Sequence, residues 1–154
     1  MQTINQTAPD SSARLSRMLC FAIYSASHAF TRVYKPLLDR VGLTYPQYLV
    51  LLVLCEEDNL MVKQIGERLF LDSGTLTPLL KRLEAAGFVQ RVRDKQDERQ
   101  VRVRLTNQGQ AIEEQAASIM SELFCAIGQS EERVLALTEE VARLRAALSH
   151  PSSL

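Results

Sequence analysis

At Gly87 the apolar period of this chain changes from helical to alternating. Before it, Leu76, Leu79, Leu80 and Leu83 take the i, i+3, i+4 and i+7 positions of one helical face. After it, Val101, Val103 and Leu105 interleave with Arg102 and Arg104, which predicts a strand with one apolar and one basic face. The polar stretch 94–99 joins that strand to residues 88–93 and makes a two-stranded hairpin. A short helix over residues 62–69 precedes the Leu-rich one. The second helix starts near Asp72-Ser73-Gly74, because Pro78 is tolerated only close to a helix start.

The flanks are helical and amphipathic. Residues 1–12 read as a flexible tail, after which Ser11 or Ser12 caps a long helix. Its apolar series is Leu15, Met18 with Leu19, Ala22, Ala26, Ala29, Val33 and Leu37, and Pro36 is expected to kink it or end its regular part. Gly42 breaks the chain. Thr44-Tyr-Pro-Gln47 then reads as a capping box for a helix through residues 49–55, followed by the polar turn EEDNL. Beyond the hairpin, Thr106 caps a helix with Ile112, Ala116, Ile119 and Leu123 on one face, ended by Gly128. Ser130 caps a last helix, with Glu131 and Glu132 in its first turn and a seam of Val134, Leu137, Val141, Leu144 and Leu148.

A chain of 154 residues suits one domain. The expected architecture is mainly α, a winged helix-turn-helix with a two-stranded wing and long N- and C-terminal dimerisation helices. The domain spans 13–150, with the winged part at 44–106 and the dimerisation helices at 13–41 and 107–149. These outer helices carry more apolar stripe than a small helical pair can bury, so a homodimer is expected.

Composition excludes several classes. No apolar run reaches the roughly 18 residues of a membrane span, and the first residues lack the basic flank and apolar core of a signal peptide. Three scattered cysteines and two histidines make neither a disulfide framework nor a zinc site. A cytoplasmic protein without metal or cofactor is expected. Net charge is zero, yet residues 81–104 hold eight cations against four carboxylates, while residues 107 onward hold three against seven. A local basic segment in a neutral chain points to a polyanion met on one face.

In a winged helix-turn-helix the second helix enters the major groove, about 12 Å wide, with its N-terminal side chains at the base edges. Here those are Ser73, Thr75 and Thr77, one of which is expected to cap the helix, with Lys81 and Arg82 placed for phosphates. The hairpin tip supplies Lys95 and Arg99, and Asp97 is expected to hold the Arg99 guanidinium by a charge-assisted bond. Operator DNA is the expected partner.

Cys20 lies in Leu19-Cys-Phe-Ala-Ile-Tyr24. A free cysteine is most often a small buried hydrophobe. At about 100° per residue, however, Cys20, Tyr24, Ser27, Thr31 and Tyr34 fall near one line and form a hydroxyl-bearing stripe beside the apolar seam. Tyrosine hydroxyls donate hydrogen bonds and can hold a thiolate. Counted from Ser12, Cys20 lies beyond the first turn, so the helix dipole cannot do this alone.

The run from Gly66 to Glu84 (GERLFLDSGTLTPLLKRLE), with Asp97-x-Arg99 and Leu105-Thr106, resembles the MarR family of dimeric winged-helix repressors, and more narrowly the organic-hydroperoxide-resistance regulators (OhrR). Met61 departs from the pattern where a capping Ser or Thr is expected, so the helix after it is expected to be loose at its start. The resemblance implies that Cys20 is the peroxidatic cysteine and that Tyr34 and Tyr45 hydrogen-bond it; Tyr24, from the hydroxyl stripe, is either a further thiolate partner or a core or interface aromatic. It also implies that Cys125 is a resolving cysteine, from the other subunit, that captures the sulfenic acid as a disulfide. Fourteen residues of straight helix put Cys20 about 21 Å from Tyr34, so that tyrosine must come from the partner subunit. Cys55 is expected to be packing. The apolar company of Cys20 (Leu19, Phe21, Ile23, Phe30) favours an organic hydroperoxide as oxidant. Two readings from other classes stand beside this one: a repressor gated by a small aromatic ligand, and a thiol peroxidase. For the peroxidase no thioredoxin-like alternation of strands and helices is present.

Overall fold

The computed structural model describes residues 14–149. The expected tail and the Ser11 or Ser12 cap lie outside them. Six helices and a small sheet follow in the order α1 Leu19–Asp39, α2 Tyr45–Glu56, β1 Leu60–Met61, α3 Val62–Leu69, α4 Ser73–Ala85, β2 Val89–Arg93, β3 Val101–Leu105, α5 Asn107–Ile127 and α6 Glu131–Ser149. The mainly helical winged fold expected from the sequence is the one observed.

Helix α2 is the centre of the core. Its run YPQYLVLLVLCE is apolar on nearly every side, and such a helix must be surrounded. Val50, Leu51 and Leu54 are fully buried, against Ile65 of α3, Leu76, Leu80 and Leu83 of α4, and Val89 and Val103 of the sheet. Leu79, placed on the same face by spacing, is only partly buried. Each buried leucine contributes about 2–5 kcal/mol against truncation to alanine.

The helix-turn-helix owes its tight turn to Gly66. The amides of Phe70 and Leu71 both donate to the Gly66 carbonyl, and a Cβ on Gly66 would stand 2.7 Å from the Leu71 carbonyl oxygen. Phe70 closes α3 in the left-handed region, at φ 56°. The Asp72 carboxylate then caps α4 by accepting from the Thr75 amide at 2.8 Å. That corrects the expectation of a Ser or Thr cap: aspartate precedes the first helical residue, and its short side chain reaches the amide three residues on.

The sheet holds a third strand beyond the expected wing. Its order is β1-β3-β2, antiparallel, with Leu60 opposite Val103 and Met61 opposite Arg102. Asn59, at φ 60°, turns the chain into that register. The same pairing anchors the start of α3. Met61 is held in β1, and its amide donates to Gln64 Oε1 at 2.8 Å, so the start expected to be loose is tied at both sides. At the other junctions Thr106 Oγ1 accepts from the Gly109 amide at 3.1 Å, and Ser130 Oγ from the Arg133 amide at 3.2 Å, the expected caps of α5 and α6.

Helix α1 departs from the expected course at its start. It does not run unbroken from residue 13, because Met18 is extended (φ −89°, ψ 117°) and caps a helix that begins at Leu19. Residues 14–32 are all exposed in the subunit, so no packing enforces a continuous ladder through the Ser-Arg-Met turn. Pro36 does not end α1, which continues to Asp39.

Candidate nucleic-acid interface and thiol site

Helix α4 and the wing open onto one cleft of about 320 Å³, lined by Lys63, Ser73, Thr77, Arg99 and Gln100 with Met61, Val62 and Val101. Ser73 and Thr77, one turn apart on α4, are thus brought together with Arg99 of the wing. Thr75 is otherwise engaged, since its hydroxyl donates to Asp72 Oδ2 at 3.0 Å. The Thr75 amide, and after it the hydroxyl, hold the Asp72 carboxyl below its usual range.

Three of the eight cations in the basic segment are structural. Arg91 bonds Glu84 through its backbone amide (2.9 Å) and Nε (2.8 Å), fixing β2 to the end of α4 and lowering the Glu84 carboxyl. Arg102 donates to Asp94 and, at 2.9 Å, to the Asn59 carbonyl. Arg104 donates to Asn59 Oδ1 at 2.9 Å. Lys81, Arg82, Arg93, Lys95 and Arg99 remain, and none of them has a carboxylate within ion-pair distance among the described residues.

Asp94 organises the wing and was not singled out by the sequence. It is 9 % exposed and accepts from Arg102 and from the amides of Gln96 (2.8 Å) and Asp97 (3.1 Å). The Arg102 bond, then those amides, hold its carboxyl below the usual range. The aspartate that opens the polar turn DKQD is the signal that could have found it, as a side chain folding back onto amides two and three residues on. Asp97 does not hold the Arg99 guanidinium as expected. Its Oδ1 accepts from the Arg99 amide at 3.1 Å and its Oδ2 from Gln100 Nε2 at 3.1 Å. A two-residue offset favours the backbone donor, and the guanidinium has no carboxylate at ion-pair distance among the described residues.

The thiol residues divide between surface and interior. Cys20 is exposed and is the second residue of α1. It therefore lies within the first turn, beside backbone N–H groups with no intrahelical partner and at the positive end of the dipole, a contribution discounted when the helix is counted from Ser12. Tyr24, one turn on, is 62 % exposed and meets the His28 ring edge-on at 4.4 Å. Tyr34, on the same line by spacing, is buried instead, with its ring 4.5 Å from Tyr45 and 6.1 Å from Tyr48. Burial, then the two neighbouring tyrosines, push its hydroxyl up to about 12. Burial also raises Tyr45 and Tyr48. Tyr48 was not anticipated, although its place three residues after Tyr45 puts both on one side of α2. Cys125 is exposed, three residues before the Gly128 cap of α5. Cys55 is half-buried, and burial followed by Glu113, Asp58 and Glu56 raises its thiol.

A short helix open to solvent beside a cationic, internally braced wing defines a winged-helix DNA-binding protein. The family model described as transcriptional regulator SarA/Rot matches residues 32–115. The chain is 51 % identical over 142 residues to the HTH-type transcriptional regulator TtmR of Methylorubrum extorquens, covering 92 % of this chain and 73 % of that one. It is 48 % identical over 119 residues to the organic hydroperoxide resistance transcriptional regulator of Bacillus subtilis, covering 77 % and 81 %. Among solved structures it is similar to AbfR of Staphylococcus epidermidis. The reduced, DNA-bound form matches at TM-score 0.71 and 38 % identity over 90 % of this chain and 96 % of that one. The disulfide form matches at TM-score 0.62 and 37 % identity over 90 % and 94 %. The chain belongs to the MarR-type winged-helix transcription regulators, in the company of the organic-hydroperoxide regulators.

Proposed function

We propose that the chain is a homodimeric repressor that binds its operator when reduced and releases it when an organic hydroperoxide oxidises Cys20. One observation carries this reading. The first half of α1, with Cys20, is unburied in its own subunit, while Tyr34, its ring against Tyr45 of α2, is fixed towards the other end of α1. Fourteen residues at 1.5 Å each keep them about 21 Å apart within a chain, so they meet only across a dimer. The surface suits one. No residue of the expected seam of α6 is fully buried in its own subunit, and Leu137, Val141 and Leu148 are exposed; an apolar groove of about 190 Å³, with Phe30 and Leu123 in its walls, lies open between α1 and α5.

In the chemistry proposed, the Cys20 thiolate attacks a peroxide oxygen. An S–O bond forms, the O–O bond breaks, and the alcohol leaves with a proton. The partner subunit's Cys125 then attacks that sulfur, and a disulfide forms as hydroxide leaves to become water. The solved disulfide form of the similar AbfR supports this step. Ser73 and Thr77 are the base-edge candidates, with Lys81, Arg82, Lys95 and Arg99 for backbone and wing contacts.

The test is operator binding by reduced and cumene-hydroperoxide-treated protein. Wild type should bind and release. Cys20→Ser should bind and stay bound, and release by that variant would transfer the assignment to a ligand-gated repressor. Steady turnover of peroxide with a thiol reductant would instead favour the peroxidase.

A further inference from the structure

Helix α6 adds no residue to the buried core of its subunit, yet it reaches the DNA-reading lobe at one point. The guanidinium carbon of Arg145 stands 4.0 Å from the centroid of the Phe70 ring, inside the roughly 6 Å over which an aromatic face attracts a cation. Phe70 is an unusual surface aromatic. It ends α3 in the left-handed region, a conformation uncommon for a bulky side chain, and its ring is 64 % exposed, so no core packing holds it. Two residues later Asp72 caps α4. Phe70 is therefore the left-handed residue through which the chain passes from α3, after the Gly66 carbonyl has drawn the turn tight, to the recognition helix. The remaining ion pair of α6, Arg143 with Glu139 at 3.9 Å, stays within the helix. Among the described residues, Arg145 on Phe70 is the one ion or ring contact between α6 and the helix-turn-helix.

We propose that Arg145 is a positioning residue for DNA recognition: its guanidinium covers the Phe70 ring, steadies the left-handed turn, and ties the placement of α4 to α6. The inference rests on the repressor reading and extends it. Cys125 lies near the end of α5, just before the Gly128 turn into α6, so a change of packing there reaches the α3–α4 turn through Arg145.

Both side chains are on the surface, so their variants keep the core. The experiment compares wild type, Arg145→Ala, Phe70→Leu and the double variant, with Arg145→Lys and Phe70→Tyr as conservative controls. Two readouts are taken on reduced, full-length protein. One is amide hydrogen exchange across residues 66–76 without DNA, where the Leu71 amide donates to the Gly66 carbonyl at 3.0 Å. The other is affinity for a duplex selected by the wild-type protein from a random-sequence pool. Each disruptive change should speed exchange at the turn and weaken binding about two- to five-fold. The double variant should be no worse than either single one, and the conservative controls should recover most of the loss. Additive losses, or unchanged exchange and affinity, overturn the proposal. Failure of the wild type to select any duplex overturns the repressor reading instead, while the exchange measurement still decides whether Arg145 orders the turn.

Discussion

Arg99 sits at the wing tip with its amide bonded by Asp97 and its guanidinium free of any carboxylate among the described residues. It shares the cleft with Ser73 and Thr77, so Arg99→Ala should weaken operator binding by about 1–3 kcal/mol. A salt-matched titration with unchanged affinity would remove the wing tip from the interface. Tyr34 carries the second test at this scale. Because burial pushes its hydroxyl up to about 12, it remains a proton donor throughout the physiological range. The linked stability is fully present below the ordinary tyrosine value near 10 and is lost as pH rises through 12. Tyr34→Phe should slow sulfenic-acid formation at Cys20, timed with a dimedone probe, and leave reduced operator binding largely intact. Equal rates in the two proteins would end the argument for a tyrosine-held thiolate.

The wing is an element held by one carboxylate. Asp94 joins Arg102 to the Gln96 and Asp97 amides, and its carboxyl is held below the usual value. The ion pair therefore contributes fully above about pH 3.9, the unfolded reference, and is lost as pH falls below it through the depressed value. The Gln96 and Asp97 amide resonances should titrate below 3.9, and Asp94→Asn should abolish that step; a midpoint at or above 3.9 would contradict the bonding described. The wing's strands were legible in the sequence because Val101, Val103 and Leu105 alternate over five residues. The two residues of β1 were not, because a strand that short has no period of its own and exists only through Asn59 and its register on β3. The basic segment was legible as charge but not as allocation. Arg91, Arg102 and Arg104 look as available as Lys95 or Arg99 until Glu84, Asp94 and Asn59 are folded against them. The break before Leu19 was hidden for a different reason: Ser-Arg-Met carries no breaker residue, and the course of an unpacked segment is not written in its apolar spacing.

At the scale of the molecule, the outer helices leave Leu19, Phe21, Ile23 and Phe30 of α1 and Leu135, Val141 and Leu148 of α6 facing solvent in one subunit. Patches of that kind on a folded chain mark an association surface, so sedimentation at micromolar concentration should give a dimer, and a folded monomer would count against the cross-chain sensor. Treatment with organic hydroperoxide should yield a covalent dimer on a non-reducing gel, reversed by dithiothreitol and absent in Cys20→Ser and Cys125→Ser. A fully oxidised wild type that runs only as monomer would sink the two-cysteine step and leave the family assignment in place. The cysteines themselves were easy to read, but their surroundings were not. The Tyr34–Tyr45 pairing requires α1 and α2 to meet, and the spacing within either helix says nothing of it.

The short third strand has a further consequence, for solubility. With β3 in the middle, the sheet ends in β1 on one side and β2 on the other. An open strand edge is a template on which a second chain can add and begin an aggregate. Here β1 offers only two residues, too few to recruit a partner strand, and β2 ends in Arg93, a cation with no carboxylate at ion-pair distance among the described residues. Like charges would face one another if two such edges approached. Arg93 thus guards a small sheet against its own copies in a crowded cell.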